Sequence, residues 1–190
     1  MLNLSLLEGH VPISWKNGVV KPMLKKSGIE PILKNYRPVS NLPFVARATE
    51  KAVINLMGYC TINRPLPDNQ SSYRKYHSTE TALVKVHNDI LASMDRQEIT
   101  FLILIDLSAA FNTINRSLMI DILENDFGIA GVVKKWFESY LVSRQQRIMV
   151  KQHLSDYFQL ESGLPQASCL GPVLFLIYAS GLFKVAAKNT

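Results

Sequence analysis

Apolar positions change period several times along the chain. Lys16 to Leu24 alternates weakly and meets Lys25-Lys26-Ser27-Gly28, a pattern that predicts a short strand and a turn, with Lys34 to Val39 as the returning strand. Ser40-Asn41 followed by Pro43 marks a helix start, because proline is tolerated in a first turn. Val45, Thr49, Ala52, Val53, Leu56 and Met57 then recur at helical spacing, to about Cys60. Asn63 to Tyr76 holds Pro65, Pro67, Asp68 and Asn69 and reads as a loop. Ser78 or Thr79 caps a helix in which Leu83, Val86, Ile90, Leu91 and Met94 make one apolar stripe ending near Asp95.

Phe101 to Ile105 is apolar without alternation, which predicts a central strand covered on both faces, and it ends in one carboxylate, Asp106. Two readings of that acid stand side by side. Asp is a common turn and N-cap residue. A carboxylate beside so apolar a run also needs solvent, a cation or a metal, and Mg²⁺ favours carboxylates together with substrate phosphates. Further on, Asn115 precedes a helix with Leu118, Met119, Ile122 and Leu123 that Gly128 stops, and Val133, Trp136, Phe137, Tyr140 and Leu141 mark the next. Arg144 to Lys151 and Ser155 to Glu161 read as short strands, and a last helix begins near Leu170. The pattern is α+β, with no repeat and no interdomain linker.

A length of 190 residues with 47% hydrophobic composition suits one domain with a sizeable core. No basic-then-apolar leader is visible, and the longest apolar run, Val173 to Leu182, falls short of the roughly 20 residues that span a bilayer. The expectation is an intracellular protein of cytoplasm and nucleus with no membrane partner. Cys60 and Cys169 form neither a CxxC pair nor a Cys/His cluster, so a zinc site or disulfide framework is not expected and both read as small buried residues.

Between Lys16 and Lys51 lie eight basic residues against two acidic ones, a local excess of +6 that equals the net charge of the whole chain. That excess is either a solvated face or a phosphate-binding surface.

Four motifs follow one another along the chain. Asn35 to Leu42 reads NYRPVSNL, Tyr73 to Leu83 reads YRKYHSTETAL, Asp106 to Ile114 reads DLSAAFNTI, and Gly163 to Tyr178 reads GLPQASCLGPVLFLIY. Together these resemble the fingers and palm motifs of reverse transcriptases from LINE-type, jockey-like retrotransposons without long terminal repeats, over roughly residues 15 to 180. The resemblance implies a right-hand polymerase fold, with fingers and an adjoining palm helix over about 15–100 and a partial palm over about 101–185. It also implies RNA-directed DNA polymerase activity in the full-length family, with RNA template, DNA primer and deoxynucleoside triphosphates as partners and Mg²⁺ as cofactor. Nucleotidyl transfer of this kind uses two metal ions about 3.5–4 Å apart.

By the same resemblance Asp106 is the catalytic, metal-binding carboxylate and the Leu107 carbonyl a further ligand. Phe111 is the floor beneath the incoming sugar, where a ring excludes a ribose 2′-hydroxyl; without the resemblance it reads equally as core. Arg37 reaches the triphosphate, a task that suits a permanently charged fork of donors. Gln166 contacts the nucleotide, and Lys25 and Lys26 lie on the fingers hairpin above the phosphates or in a solvated turn. Arg74 and His77 face template or primer, with a structural hydrogen-bonding role the other reading of His77.

Three departures qualify the resemblance. Ala167 stands where the family pattern has Gly, and a methyl group is harmful wherever backbone needs positive φ or close approach. Asn112 replaces the usual Asp, a position that is not the metal ligand. No F/Y-A-D-D hairpin, the family's source of further carboxylates, occurs in the 190 residues. A fragment truncated before that motif, lacking thumb and catalytic hairpin and inactive alone, is the expectation. The alternative is a noncatalytic nucleic-acid-binding or inert remnant of a mobile element.

Overall fold

A computed structural model of the chain describes residues 1–63, 70–74, 76–104, 111–165 and 168–187. Two short helices, α1 (Leu2–Glu8) and α2 (Ile13–Lys16), lead into a hairpin of β1 (Gly18–Leu24) and β2 (Tyr36–Asn41). Then come α3 (Phe44–Asn63), α4 (Thr79–Asp95), α5 (Arg116–Asn125), α6 (Gly131–Leu141), β3 (Gln145–Val150), β4 (His153–Leu154), β5 (Phe158–Gln159) and α7 (Gly171–Ala187). The architecture is α+β with a mixed five-stranded sheet. Its order is β2-β1-β3-β4, and β5 also pairs with β3. β1 runs antiparallel to β2 and parallel to β3.

The hairpin register sets Pro22 opposite Pro38. Proline donates nothing to a ladder and belongs at edges. Pro38 lies on the edge strand β2, and Pro22 lies past the β1–β3 pairing, which ends at Val20, so neither proline interrupts a central ladder. The expected strand from Ser155 to Glu161 is broken up: the Ser155 N–H still donates to the Ile148 carbonyl at 2.9 Å, but the Ile148 N–H donates to the Ser155 Oγ at 2.8 Å in place of a backbone carbonyl, and regular pairing with β3 resumes only at Phe158–Gln159.

The core gathers around α6, where Trp136, Phe137, Tyr140 and Leu141 are buried on one helical face. Met119 and Leu123 of α5, Val53 and Met57 of α3, and Leu174 and Ile177 of α7 close over it. The Trp136 ring stacks on Tyr140 and meets Phe137 edge-on, both with centroids 5.3 Å apart. Its indole N–H donates to the Ser5 hydroxyl at 3.2 Å, tying α1 to the core.

Three expectations fail. The apolar run 101–104 forms no strand, and Phe101, Leu102, Ile103 and Leu104 are 85%, 59%, 80% and 86% exposed. Helix α4 starts at the Ser78 cap as expected, but its apolar stripe covers nothing and no residue of the helix is buried. The physical reason is common to both: an apolar pattern states a need for cover without supplying the partner, and among the described residues no strand pairs with 101–104. Lys16, one of the eight basic residues between Lys16 and Lys51, is buried, its Nζ 3.5 Å from the Ser139 hydroxyl. Burial, and then repulsion from Arg144, lowers its pKa. Cys169 is half-buried with a free thiol, and the Cys60 side chain lies outside the described residues. No helix among the described residues is long and apolar enough to cross a membrane.

These burial differences set stability. Phe137→Ala should lower the unfolding free energy by about 3–5 kcal/mol, as expected for deleting a buried aromatic ring. Ile103→Ser should change it by no more than about 0.5 kcal/mol while reducing self-association. Urea unfolding with light scattering measures both.

Candidate nucleotide-binding site

Two segments far apart in sequence are stitched backbone to backbone. The Gly163 N–H donates to the Ile114 carbonyl at 3.0 Å, and the Leu164 N–H donates to the Phe111 carbonyl at 2.8 Å. The Ser162 hydroxyl donates to the Asn112 carbonyl at 3.0 Å. Gly163 has φ of +76°, and a Cβ there would sit 2.7 Å from the Asn112 Cα, the Asn112 oxygen and the Phe111 oxygen. Only glycine allows so close an approach. Just ahead of α7 the Ser168 hydroxyl accepts from the Gly171 N–H at 2.7 Å.

The Phe111 ring is half-buried and lies 5.0 Å from that of Phe175 on α7, against the edge of the core. Phe111 thus packs against the core and is partly buried there. Next to it Asn112 lines a cavity of about 350 Å³, together with Val20, Pro38 and Ser40 from the hairpin and Ser162, Leu164 and Pro165 from the loop. The cavity thus lies between hairpin, turn and loop.

The remaining sequence candidates lie elsewhere. Arg37 is exposed on β2 and does not line the cavity, whereas its neighbours Pro38 and Ser40 do. Lys25 and Lys26 are exposed where β1 gives way to the turn, and the Lys25 Nζ donates to the Lys34 carbonyl at 2.8 Å, which braces the two ends of the hairpin loop. His77 lines a second cavity of about 380 Å³ with Ser71, Tyr73 and Ser78, at the start of α4. Arg74 is half-buried nearby, and its carbonyl accepts from the His77 N–H at 3.2 Å. Asp106, Leu107, Gln166 and Ala167 lie outside the described residues.

Several residues that frame the loop were not singled out by sequence. The Arg116 guanidinium donates to three loop carbonyls, from Nε to Gly163 at 3.2 Å, from Nη1 to Leu160 at 2.7 Å and from Nη2 to Ser162 at 3.0 Å. Burial, and then the charge of Arg144, lowers its pKa, though a guanidinium stays protonated throughout. A signal existed: Arg116 opens α5, and a cation at a helix N-terminus opposes the helix dipole.

At the far end of the loop the buried Glu50 carboxylate accepts from the Cys169 N–H at 2.7 Å and from the Tyr140 hydroxyl at 2.7 Å. Its signal was an acid on the apolar stripe of α3, in line with the buried Ala46, Val53 and Met57. Arg144, also buried, donates from Nη1 to the Tyr140 carbonyl at 2.9 Å and stacks 4.8 Å over the Tyr140 ring. Among the described residues its Nε and Nη2 have no hydrogen-bond partner. Desolvation raises the Tyr140 pKa far above its ordinary value and Glu50 raises it further, against the opposing charge of Arg144, so the phenol remains a donor.

Residues 23–190 match the family model described as reverse transcriptase (RNA-dependent DNA polymerase). The chain belongs to the reverse transcriptase family. It is 29% identical over 174 residues to the probable RNA-directed DNA polymerase from transposon BS of Drosophila melanogaster, covering 90% of this chain and 19% of that protein. To the RNA-directed DNA polymerase from mobile element jockey of the same organism it is 28% identical over 192 residues, 96% of this chain and 20% of the relative. The X-element polymerase gives 26% over 173 residues, covering 90% of this chain and 19% of the relative. The chain therefore resembles LINE-type reverse transcriptases and spans about a fifth of the length of the curated relatives it matches.

The family generally uses a divalent metal. Among the described residues no three His, Cys, Asp or Glu side chains come together as a metal site. Asp121, Glu124 and Asp126 do not stand in, since Glu124 is engaged by the Lys134 ammonium at 2.6 Å. The described residues do not by themselves build the metal centre.

Two outcomes follow from this geometry. Gly163→Ala should cost about 1–3 kcal/mol from backbone strain alone and more from the overlap with Asn112, lowering the urea midpoint. Tyr140→Phe should cost about 1–3 kcal/mol by leaving a Glu50 oxygen without its donor. The Tyr140 pKa is raised on folding, so its contribution is complete below the unfolded tyrosine value near 10 and is lost as pH rises beyond it. Urea titrations between about pH 8 and 11 should show a smaller alkaline loss for Tyr140→Phe than for the parent.

Proposed function

We propose that this chain forms the fingers, about residues 15–100, and part of the palm, about residues 101–185, of a LINE-type reverse transcriptase, and contributes the nucleotide-facing surface for RNA-templated DNA synthesis. The observation that carries this reading is the backbone stitch between Phe111–Ile114 and Ser162–Leu164, which unites two of the four sequence motifs at the wall of one cavity. A primer 3′-hydroxyl, a template base and a triphosphate must converge in such a place.

In this reading Asp106 and the Leu107 carbonyl hold Mg²⁺, which supplies charge stabilisation to the reacting phosphate oxygens when bound. Gln166 contacts the nucleotide. Phe111 selects deoxynucleotides by volume, and its backing by Phe175 and the core keeps the ring from yielding to a 2′-hydroxyl. Lys25, Lys26 and Arg37, exposed on the hairpin, supply cations for phosphates. Arg74 and His77, at the start of α4, meet the template or primer backbone.

The test is binding and primer extension by the purified 190-residue chain. Weak, salt-sensitive RNA and dATP binding should be reduced by Arg37→Ala, with no templated extension in Mg²⁺ or Mn²⁺. Equal binding by that variant and the parent would remove Arg37 from the site. Extension abolished by Asp106→Ala would show that these residues hold a complete active site, and RNA binding without dATP binding would favour a noncatalytic nucleic-acid-binding role.

A further inference from the structure

Resting on that nucleotide reading, we propose that Arg116 is a positioning residue that holds the loop from Leu160 to Pro165 in register with the Phe111 turn and so sets deoxynucleotide selectivity. Its fork donates to three carbonyls within four consecutive residues, at 2.7 to 3.2 Å. Residues 160–165, to which they belong, form no helix or strand. A guanidinium presents its donors in one fixed plane, so three bonds at once fix the loop's position and tilt, which the single rotatable head of lysine cannot reproduce. Charge-assisted donors of this kind are the stronger class of hydrogen bond.

The far end of the same segment is also tied. The Glu50 carboxylate accepts from the Cys169 N–H at 2.7 Å, a second anchor six residues beyond Gly163. Arg116 itself opens α5, directly after the turn that carries Phe111. One side chain therefore joins the helix following the third motif to the loop opening the fourth. Ser162, Leu164 and Pro165 face the cavity from that loop, and the Leu164 N–H is bonded to the carbonyl of Phe111 itself. A shift of the loop thus displaces the residue proposed to exclude the 2′-hydroxyl, as well as the cavity wall.

Arg116→Lys, which keeps the charge and most of the stem, is the discriminating variant. Hydrogen–deuterium exchange should quicken roughly tenfold at the Gly163 and Leu164 amides while the amides of α6 exchange as in the parent. The ratio of dATP to ATP affinity should fall several-fold in the same protein. A general loss of folded protein would weaken both nucleotides equally and leave that ratio unchanged. Unchanged exchange at Gly163 and Leu164 would overturn the anchoring, and faster exchange with an unchanged ratio would overturn the role in selectivity. A parent chain with no preference for dATP would instead defeat the nucleotide reading, and the exchange result would then decide the anchoring alone.

Discussion

The contact on which the site depends is between backbone and backbone, at Gly163. With a prospective Cβ 2.7 Å from three atoms of the Phe111–Asn112 segment, this position admits no side chain. The two N–H bonds beside it are short enough to fix the loop against the turn. The turn and loop walls of the cavity take their places from that approach. The Phe111 ring can back onto Phe175 because its own carbonyl is held by Leu164, and Ser162 can reach the Asn112 carbonyl because the glycine lets the strands of chain lie this close. Hydrogen bonds of this type are worth little singly, but here they act together on one short loop.

Polar side chains do the rest of the holding, at some cost. Glu50, Tyr140 and Arg144 are buried in a region otherwise built of Trp15, Trp136 and apolar helix faces. Glu50 is well satisfied by Tyr140 and Cys169, whereas Arg144 leaves Nε and Nη2 without partners among the described residues. A buried, incompletely bonded guanidinium is expensive, and its cost is partly offset by the Tyr140 ring beneath it and the carboxylate held on the other side of the phenol. Replacing the trio with apolar residues would remove that expense together with the acceptor for Cys169. The network trades stability for a fixed start to α7.

What could be read from sequence was what is decided locally. The β1–β2 hairpin follows from weak alternation interrupted by Lys-Lys-Ser-Gly, with Gly28 at φ +79°, and α4 and α5 begin where Ser78 and Asn115 offer their oxygens to the third residue on. The motif resemblance led to the expectation that the third and fourth motifs lie close together, and the Phe111–Ile114 and Gly163–Leu164 segments are hydrogen-bonded. What could not be read depends on distant partners. The burial of Lys16 requires Ser139, the value of Arg116 requires carbonyls more than forty residues away, and Glu50 needs Cys169 at a separation of 119. The apolar run 101–104 misled for the same reason, since alternation and its absence report what a strand wants and not what lies beside it.

The burial pattern also divides the chain into parts of unequal stability. Helices α3, α5, α6 and α7 share one core with Phe111 and Ile114 of the turn and Leu164 of the loop, and these should open together. Residues 79–104 draw little from it. Helix α4 buries no residue and is held by its reciprocal Ser78–Thr81 cap and its own backbone bonds, in a length of 17 residues at which isolated helices are marginal in water. The exposed Phe101 to Leu104 run adds apolar surface without a return in burial. Loss of structure in 79–104 therefore leaves the stitched loop and its cavity standing, because none of the bonds at Gly163, Arg116 or Glu50 passes through that segment. The second cavity, built on the start of α4, has no such protection, so a nucleic-acid contact through His77 would have to stabilise the helix as well as bind to it.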